Sequence, residues 1–177
     1  NLNLAKKYLE LAGFPEGRGL DQLILNTTSS YLDLCEYIQA ELKEIGIELK
    51  IEVNTPSSHR QMVATSKLNF FRGSWIADYP DSENYLSLFY SKNFTPNGPN
   101  YTHFSDEEFD RLYELSTQVS DFDKRIEIYQ RLNEILFDDM PVIPLYYDQI
   151  VRFTHKNISG FRVNAQNNLD LTRVIKR

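Results

Sequence analysis

The alternation of apolar and polar residues predicts a strand–helix–strand unit in the first third of the chain. Residues 47–53 carry Ile, Leu or Val at every second position and charged residues between them, which is the period of a strand with one buried face. Residues 34–45 have apolar side chains at helical spacing, and residues 23–25 form a short apolar run before them. The sequence therefore predicts two parallel strands joined by a helix.

Helices are predicted for most of the remaining chain. A first helix covers about residues 4–12, a short one follows Pro56, and residues 83–90 have helical character. Two longer helices begin near Ser105 and Ser120, each with an acidic residue three positions later, as in a capping box. This alternation favours an α/β domain with helices covering a mixed sheet.

Weaker patterns predict further strands and one loop. Strands are predicted at residues 70–77, within residues 142–153, and at residues 158–163. Residues 91–101 contain two prolines and a glycine, which predicts an exposed loop. The spacing of apolar residues changes near Val142, and this indicates that the last part of the chain belongs to another structural unit.

Composition excludes several classes of function. The 177 residues include 19 Lys and Arg against 25 Asp and Glu, a net charge of −6. An acidic chain without a basic cluster is a poor candidate for nucleic-acid binding. No apolar stretch approaches the roughly 20 residues that span a bilayer. The aromatic fraction of 13% argues against intrinsic disorder.

Residues with catalytic or metal-binding chemistry form no convincing set. Cys35 is the single cysteine and lies on the apolar stripe of a predicted helix, which favours a buried structural thiol over a nucleophile. His59, His103 and His155 have no metal-ligand spacing, so no metal site is expected. The sequence also lacks a Gly-rich phosphate loop and the Gly-x-Ser-x-Gly motif of hydrolases.

Asp78 and Asp81 stand out among the carboxylates because they follow the only tryptophan, Trp75, in a segment rich in aromatic residues. A carboxylate beside aromatic walls can hold an ammonium group through charge-assisted hydrogen bonds. The simpler interpretation is that Trp75 belongs to the core and that Asp78 begins an Asx-turn ahead of Pro80. Residue types alone favour the simpler interpretation.

Residues 72–86 resemble the Gly-Trp-x-Ala-Asp-Tyr-x-Asp-Pro segment of oligopeptide- and dipeptide-binding proteins, family 5 of the extracellular solute-binding proteins of ABC transporters. Five other stretches resemble the same family in the same order. They lie at residues 5–14, 38–47, 104–110, 125–146 and 158–161. The match runs over nearly the whole chain.

The resemblance implies a periplasmic-binding-protein-like lobe of class II, truncated from a longer protein with two lobes. Residues 1–140 would form most of the second, C-terminal lobe, and residues 141–177 would return toward the first lobe. The chain opens inside a predicted helix without a signal peptide, and the resemblance implies that truncation would account for this start.

The resemblance also assigns roles to individual residues. Asp78 matches the aspartate that receives the α-amino group of the peptide. Trp75 would form a wall of the cleft, and the main chain of Gly73, Ser74, Ile76 and Ala77 would pair with the peptide. Arg72 matches a basic residue that receives the peptide carboxylate in one branch of the family. Ser82 replaces the proline of the motif, and Ser74 separates its glycine from its tryptophan.

The expected function is that of a substrate-binding component of a peptide ABC importer. It would not be an enzyme, would need no cofactor or metal, and would act as a monomer without nucleic acid. Its partners would be a peptide and, in the intact protein, the permease subunits. Its location would be the periplasm or the cell surface. A lipid anchor is compatible with either location. The alternatives are a small hydrolase using Asp78 and His103, or an interaction or sensor domain derived from the same lobe.

Overall fold

The structure is a computed structural model that describes residues 1–164 and 168–177. Its internal contacts group the chain into two compact units. The first unit contains residues 1–74 and 95–101, and the second contains residues 75–94 and 102–177. The predicted boundary between residues 1–140 and 141–177 concerns lobes of a longer protein, and it stays a prediction.

The first unit contains the predicted strand–helix–strand arrangement, with a helix on either side. Its elements are α1 (Leu2–Leu11), β1 (Leu23–Thr28), α2 (Leu32–Lys43), β2 (Leu49–Asn54) and α3 (Pro56–Ala64). β1 and β2 are parallel, with Leu25 opposite Ile51, which confirms the expectation. Leu25, Leu49 and Cys35 are buried together, and Cys35 has no exposed surface, as expected for a structural thiol.

A single bridge extends this sheet beyond β1. Phe71 pairs in parallel with Asn26, whose amide donates to Phe70 O at 3.0 Å and whose carbonyl accepts from Arg72 N at 2.9 Å. The strand predicted over residues 70–77 is therefore wrong beyond this bridge. The ladder ends after Arg72 because Gly73 brings no side chain to pack against a sheet, and because the main-chain N–H of Asp78 donates to a side chain instead.

Two glycines allow a close approach of loops in the first unit. Gly17 and Gly46 both have positive φ, at 74° and 88°. A Cβ atom on Gly17 would lie 1.9 Å from the carbonyl oxygen of Gly46, and one on Gly46 would lie 2.2 Å from that of Glu16. Only glycine fits at both positions, which ties the loop after α1 to the loop between α2 and β2.

The second unit is mainly helical. Its elements are α4 (Glu83–Leu86), α5 (Glu107–Gln118), α6 (Phe122–Asp139), β3 (Ile158–Ser159) and β4 (Ile175–Lys176). α5 packs on α6 around a core with large aromatic members. Its buried residues are Leu86, Phe89, Phe109, Leu112, Tyr113, Tyr129, Leu132 and Ile135. α6 ends at Met140, which has the left-handed conformation, as the Met-Pro pair predicted.

The helix starts in this unit lie one residue later than predicted. Asp106 caps α5, because its Oδ1 accepts from Phe109 N at 2.6 Å, and Asp121 caps α6 through Asp123 N and Lys124 N. The prediction of Ser105 and Ser120 as caps was wrong, because an aspartate stands next to each serine and is an equally good cap.

Residues 142–153 form no helix or strand in the structure, so the strands predicted there were wrong. The predicted strand at 158–163 shortens to β3, which pairs antiparallel with β4. A strand needs a neighbour for its N–H and C=O groups, and an apolar pattern does not supply one. Pro144, which has no N–H, weakens any such pairing further. Several large apolar side chains of this stretch are exposed, among them Tyr147 and Phe153.

Candidate functional site

The predicted ligand residues of the second unit converge on one buried side chain. Asn84 is only 4% exposed, and its Oδ1 accepts from Trp75 Nε1 at 2.8 Å and from Asp78 N at 3.2 Å. A single amide oxygen thus holds the indole ring and the main chain of the aspartate. The fold thereby fixes two of the predicted ligand residues relative to each other.

The predicted ligand residues of this unit differ in their exposure to solvent. Asp78 and Ile76 are exposed, whereas Trp75 and Ala77 are half-buried. Trp75 is therefore not fully enclosed, in contrast to the core residue of the simpler interpretation. Part of the Trp75 surface and much of Asp78 are therefore accessible to solvent.

A tight turn places Asn84 beneath this segment. Asp81 N donates to Tyr79 O at 2.9 Å, and Asp81 Oδ1 accepts from Glu83 N at 3.0 Å, which starts α4. The same carboxylate accepts from Arg125 Nη2 at 2.7 Å and from Tyr129 Oη at 2.8 Å, so the turn is attached to α6. Burial alone would raise the pKa of Asp81, but these hydrogen bonds and the Arg125 charge lower it.

Tyrosine hydroxyls surround the second carboxylate of the turn. Tyr79 and Tyr113 both donate to Glu83, one to each of its oxygens. The hydrogen bond to Glu83 is the main reason why the pKa of Tyr79 is raised, and burial is the main reason for Tyr113. Burial likewise raises the pKa of Tyr129 to about 12. These hydroxyls therefore stay protonated and donate throughout the physiological pH range.

The first unit holds Arg72, Gly73 and Ser74. The Arg72 guanidinium lies 3.2 Å from the centroid of the Tyr31 ring, and its Nη1 donates to Ser74 Oγ at 3.3 Å. The Arg72 carbonyl is 3.0 Å from Nε2 of His59, which is 9% exposed. Since a carbonyl only accepts, Nε2 carries the proton. Gly73 and Ser74 are exposed.

Sequence reasoning missed the residues that position the predicted ones. Asn84 and Tyr31 carried no expectation, although Asn84 accepts from Trp75 and the Tyr31 ring contacts Arg72. Asp81 was singled out as a second carboxylate beside the aromatic residues, and in the structure its carboxylate is bonded to α6. A usable signal for Asn84 is its place directly before the apolar Tyr85-Leu86 pair, because a polar residue buried at a helix start needs partners. Nothing in the sequence pointed to Tyr31.

The described residues form neither a cluster of metal ligands nor a membrane-spanning helix. Within residues 1–164 and 168–177, no three His, Cys, Asp or Glu side chains gather as a metal site would require. Over the same residues, no helix has the length and apolar character needed to cross a bilayer. His103 stacks on Phe94, with ring centroids 4.8 Å apart.

Comparison with protein families gives a match over more than half of the chain. The family model of the bacterial extracellular solute-binding proteins, family 5 (middle part), matches residues 1–97. The chain belongs to this family. The sequence-based recognition of the family is confirmed, and its members are solute-binding proteins rather than enzymes.

Curated relatives in this family bind peptides according to their names. The dipeptide-binding protein of Pseudomonas aeruginosa is 26% identical over 164 residues, which cover 90% of this chain and 31% of the relative. The oligopeptide-binding protein OppA of Bacillus subtilis is 26% identical over 167 residues, which cover 90% of this chain and 30% of the relative. The chain thus spans about a third of the length of these family members.

Two solved structures of periplasmic binding proteins share the fold. A periplasmic oligopeptide-binding protein of Borrelia burgdorferi has a TM-score of 0.82 and 26% identity, covering 100% of this chain and 36% of that one. The periplasmic binding protein DppA of Helicobacter pylori, solved with the peptide STSA, has a TM-score of 0.81 and 24% identity, covering 99% and 34%. The fold is that of the type II periplasmic binding proteins, as expected.

Proposed function

We propose that this chain is the C-terminal lobe of the substrate-binding component of a peptide ABC importer. Asp78 receives the α-amino group of the peptide in a cleft between this lobe and a second one. The names of the curated relatives and the solved complex with STSA support the substrate class. The proposed partners are a peptide and the permease subunits of the importer, and the proposed location is outside the cytoplasm.

The observation that carries this proposal is that exposed Asp78 and half-buried Trp75 are held by one acceptor, Oδ1 of Asn84. A free peptide amine is an ammonium with three donors, and an ionised carboxylate is its natural partner. The indole supplies a flat apolar wall that excludes water on one side of the pair. Main-chain pairing along residues 73–77 would add affinity without selecting side chains.

Arg72 is proposed as a second ligand-binding residue, with less support than Asp78. Its guanidinium is stacked on Tyr31 and donates to Ser74, so its position is fixed before any ligand arrives. A guanidinium fits a carboxylate with two parallel hydrogen bonds. We assign it to a carboxylate of the ligand.

The decisive experiment compares two ligands that differ only at the amino terminus. Trialanine and N-acetyl-trialanine are titrated by calorimetry into the full-length protein that carries this chain. The wild type is expected to prefer the free peptide, and Asp78→Asn to lose most of that preference. Asp123→Asn removes another exposed carboxylate, on α6, and should change neither affinity. An equal loss for both peptides in Asp78→Asn would refute the role in amine recognition.

The 177-residue chain by itself gives a second test. If the cleft needs both lobes, this chain should bind trialanine weakly or not at all, because half of the contacts are missing. Micromolar affinity of the isolated chain would contradict the two-lobe proposal.

A further inference from the structure

Asn84 is the side chain that links Trp75 and Asp78 to the helical core of the second unit. Its Oδ1 accepts from both residues, at 2.8 and 3.2 Å. We propose that Asn84 is a positioning residue that sets the selectivity of Asp78 for a free amino group. This inference rests on the proposed function, and it adds a residue that touches no ligand itself.

The hydrogen-bonding capacity of the Asn84 oxygen is used completely. An amide oxygen has two lone pairs, and Trp75 Nε1 and Asp78 N take one each. The side chain is 4% exposed, so water has little access to replace either bond. Loss of the oxygen would leave two donors without their acceptor, a costly outcome in a buried position.

The geometry connects this bond to the carboxylate. The hydrogen bond to Asn84 holds the main-chain N–H of Asp78, the residue whose side chain is proposed to bind the amine. A fixed main chain at Asp78 limits the positions that its carboxylate can reach. The indole is held at its only polar atom, which restricts rotation of the ring. A carboxylate and a wall that are both held in place lose less entropy when a ligand binds.

Asn84 is itself held from several directions. Its main-chain N–H donates to Asp81 O at 3.2 Å, and its main-chain carbonyl accepts from Ser87 Oγ at 2.9 Å. Asp81 is bonded to Arg125 and Tyr129 of α6. A hydrogen bond from Asn84 also opposes the effect of Glu83 on the pKa of Tyr79. The anchor is therefore part of the packed helical core and not a flexible loop.

Three variants separate positioning from general stability. Asn84→Leu removes the acceptor, Asn84→Ser keeps a polar but shorter side chain that cannot reach both donors, and Asn84→Asp keeps an oxygen in the same place. Asn93→Leu is the matched control, because this half-buried asparagine of the same unit donates to Ser87 O at 2.9 Å and is not bonded to residues 75–78.

The first readout is the ratio of affinities for trialanine and N-acetyl-trialanine in the full-length protein. Asn84→Leu and Asn84→Ser should reduce this ratio about tenfold. Asn84→Asp should stay within about threefold of wild type, and Asn93→Leu should match wild type. In the Asp78→Asn background, Asn84→Leu should cause no further loss. If Asn84→Leu does not fold by circular dichroism, Asn84→Ser decides.

The second readout is fluorescence of the 177-residue chain, in which Trp75 is the only tryptophan. Its emission should shift in Asn84→Leu and Asn84→Ser and remain in Asn84→Asp. An unchanged emission spectrum in Asn84→Leu and Asn84→Ser would mean that the indole does not depend on Asn84, and would overturn the inference.

The outcomes of the binding experiment distinguish the two proposals. An unchanged ratio in Asn84→Ser, while Asp78→Asn loses its preference, overturns the role of Asn84 and leaves the proposed function standing. Equal losses for both peptides in the Asn84 variants also overturn it, because that is the effect of instability alone. A wild type without any preference for the free peptide overturns the proposed function and this inference with it.

Discussion

The two units hold their parts of the predicted ligand segment in different ways. In the first unit, main-chain bonds to Asn26 and a bond between His59 and a carbonyl hold Arg72, and its guanidinium stacks on Tyr31. In the second unit, the side chain of Asn84 holds Trp75 and Asp78. A backbone ladder accepts almost any side chain, whereas a side-chain anchor depends on one residue type. Mutations should therefore be tolerated better in the first part than in the second.

The hydrophobic cores of the two units differ in size and in aromatic content. Of the residues described, three buried apolar side chains form the first core, and eight form the second, four of them aromatic. The first unit relies on a parallel strand pair packed against α2, and the second on aromatic rings that meet edge to face around Phe109 of α5. Packing substitutions should cost more in the second unit than in the first.

The largest expected effect is that of Phe109→Ala in the second core. Phe109 has no exposed surface and meets Phe104 edge to face, with ring centroids 5.5 Å apart. Truncation should lower the free energy of unfolding by about 3–5 kcal/mol, measured by urea denaturation. Phe122→Ala, at a position 66% exposed on α6, should cost less than about 0.5 kcal/mol. A cost for Leu49→Ala in the first unit equal to that of Phe109→Ala would break the comparison.

A smaller effect is expected when the turn loses its bond to α6. Asp81→Asn removes the ion pair with Arg125, in which Nη2 of Arg125 lies 2.7 Å from Oδ2 of Asp81. The substitution should lower the free energy of unfolding by about 2 kcal/mol at pH 7. Glu127→Gln, an exposed loss of the same charge on α6, should change it by less than about 0.5 kcal/mol.

The pH dependence of the same variant sharpens this test. Because the pKa of Asp81 is lowered in the folded state, its contribution is complete above the unfolded pKa and is lost as the pH falls through the folded value. The stability difference between wild type and Asp81→Asn should therefore shrink from about pH 4 downwards. A constant difference between pH 7 and pH 2 would show that the charge of Asp81 does not contribute.

The smallest effect is expected in the first unit. Tyr31→Leu removes the ring under Arg72 and should cost about 0.5–1 kcal/mol, because the main-chain bonds of Arg72 remain. Tyr31→Phe keeps the ring and should match wild type. Tyr37→Leu, on the 63% exposed tyrosine of α2, serves as the control for loss of a tyrosine. Thermal unfolding measures all three, and a cost above that of Asp81→Asn would reverse the order of the two units.

Sequence patterns predicted the elements whose periodicity depends on local burial. The alternation around Ile51 gave β2, and the stripe through Leu132 gave α6, because each pattern reflects a face that packs on its own neighbours. The predictions over residues 142–153 failed, because pairing between strands depends on partners that no local pattern reveals. The helix caps were displaced by one residue, because Ser and Asp compete for the same role at adjacent positions.

For the candidate site, the resemblance supplied the segment and the structure supplied its support. Asp78 and Trp75 were found from a motif, and their role remains a prediction. The role of Asn84 and the partners of Asp81 could not be assigned in advance, since both residues act through hydrogen bonds that form only after a turn closes and α6 packs beside it. Such support depends on contacts distant in sequence, and a motif does not encode them.

The buried thiol of Cys35 is a native probe for opening of the first unit. It is the only cysteine of the chain and has no exposed surface, so a thiol reagent can reach it only after the packing between α2 and the strands has opened. The rate of labelling under native conditions then measures how often this unit opens, without any engineered probe. Because no other thiol competes, the same reaction followed with and without peptide would report whether ligand binding changes how often the first core opens.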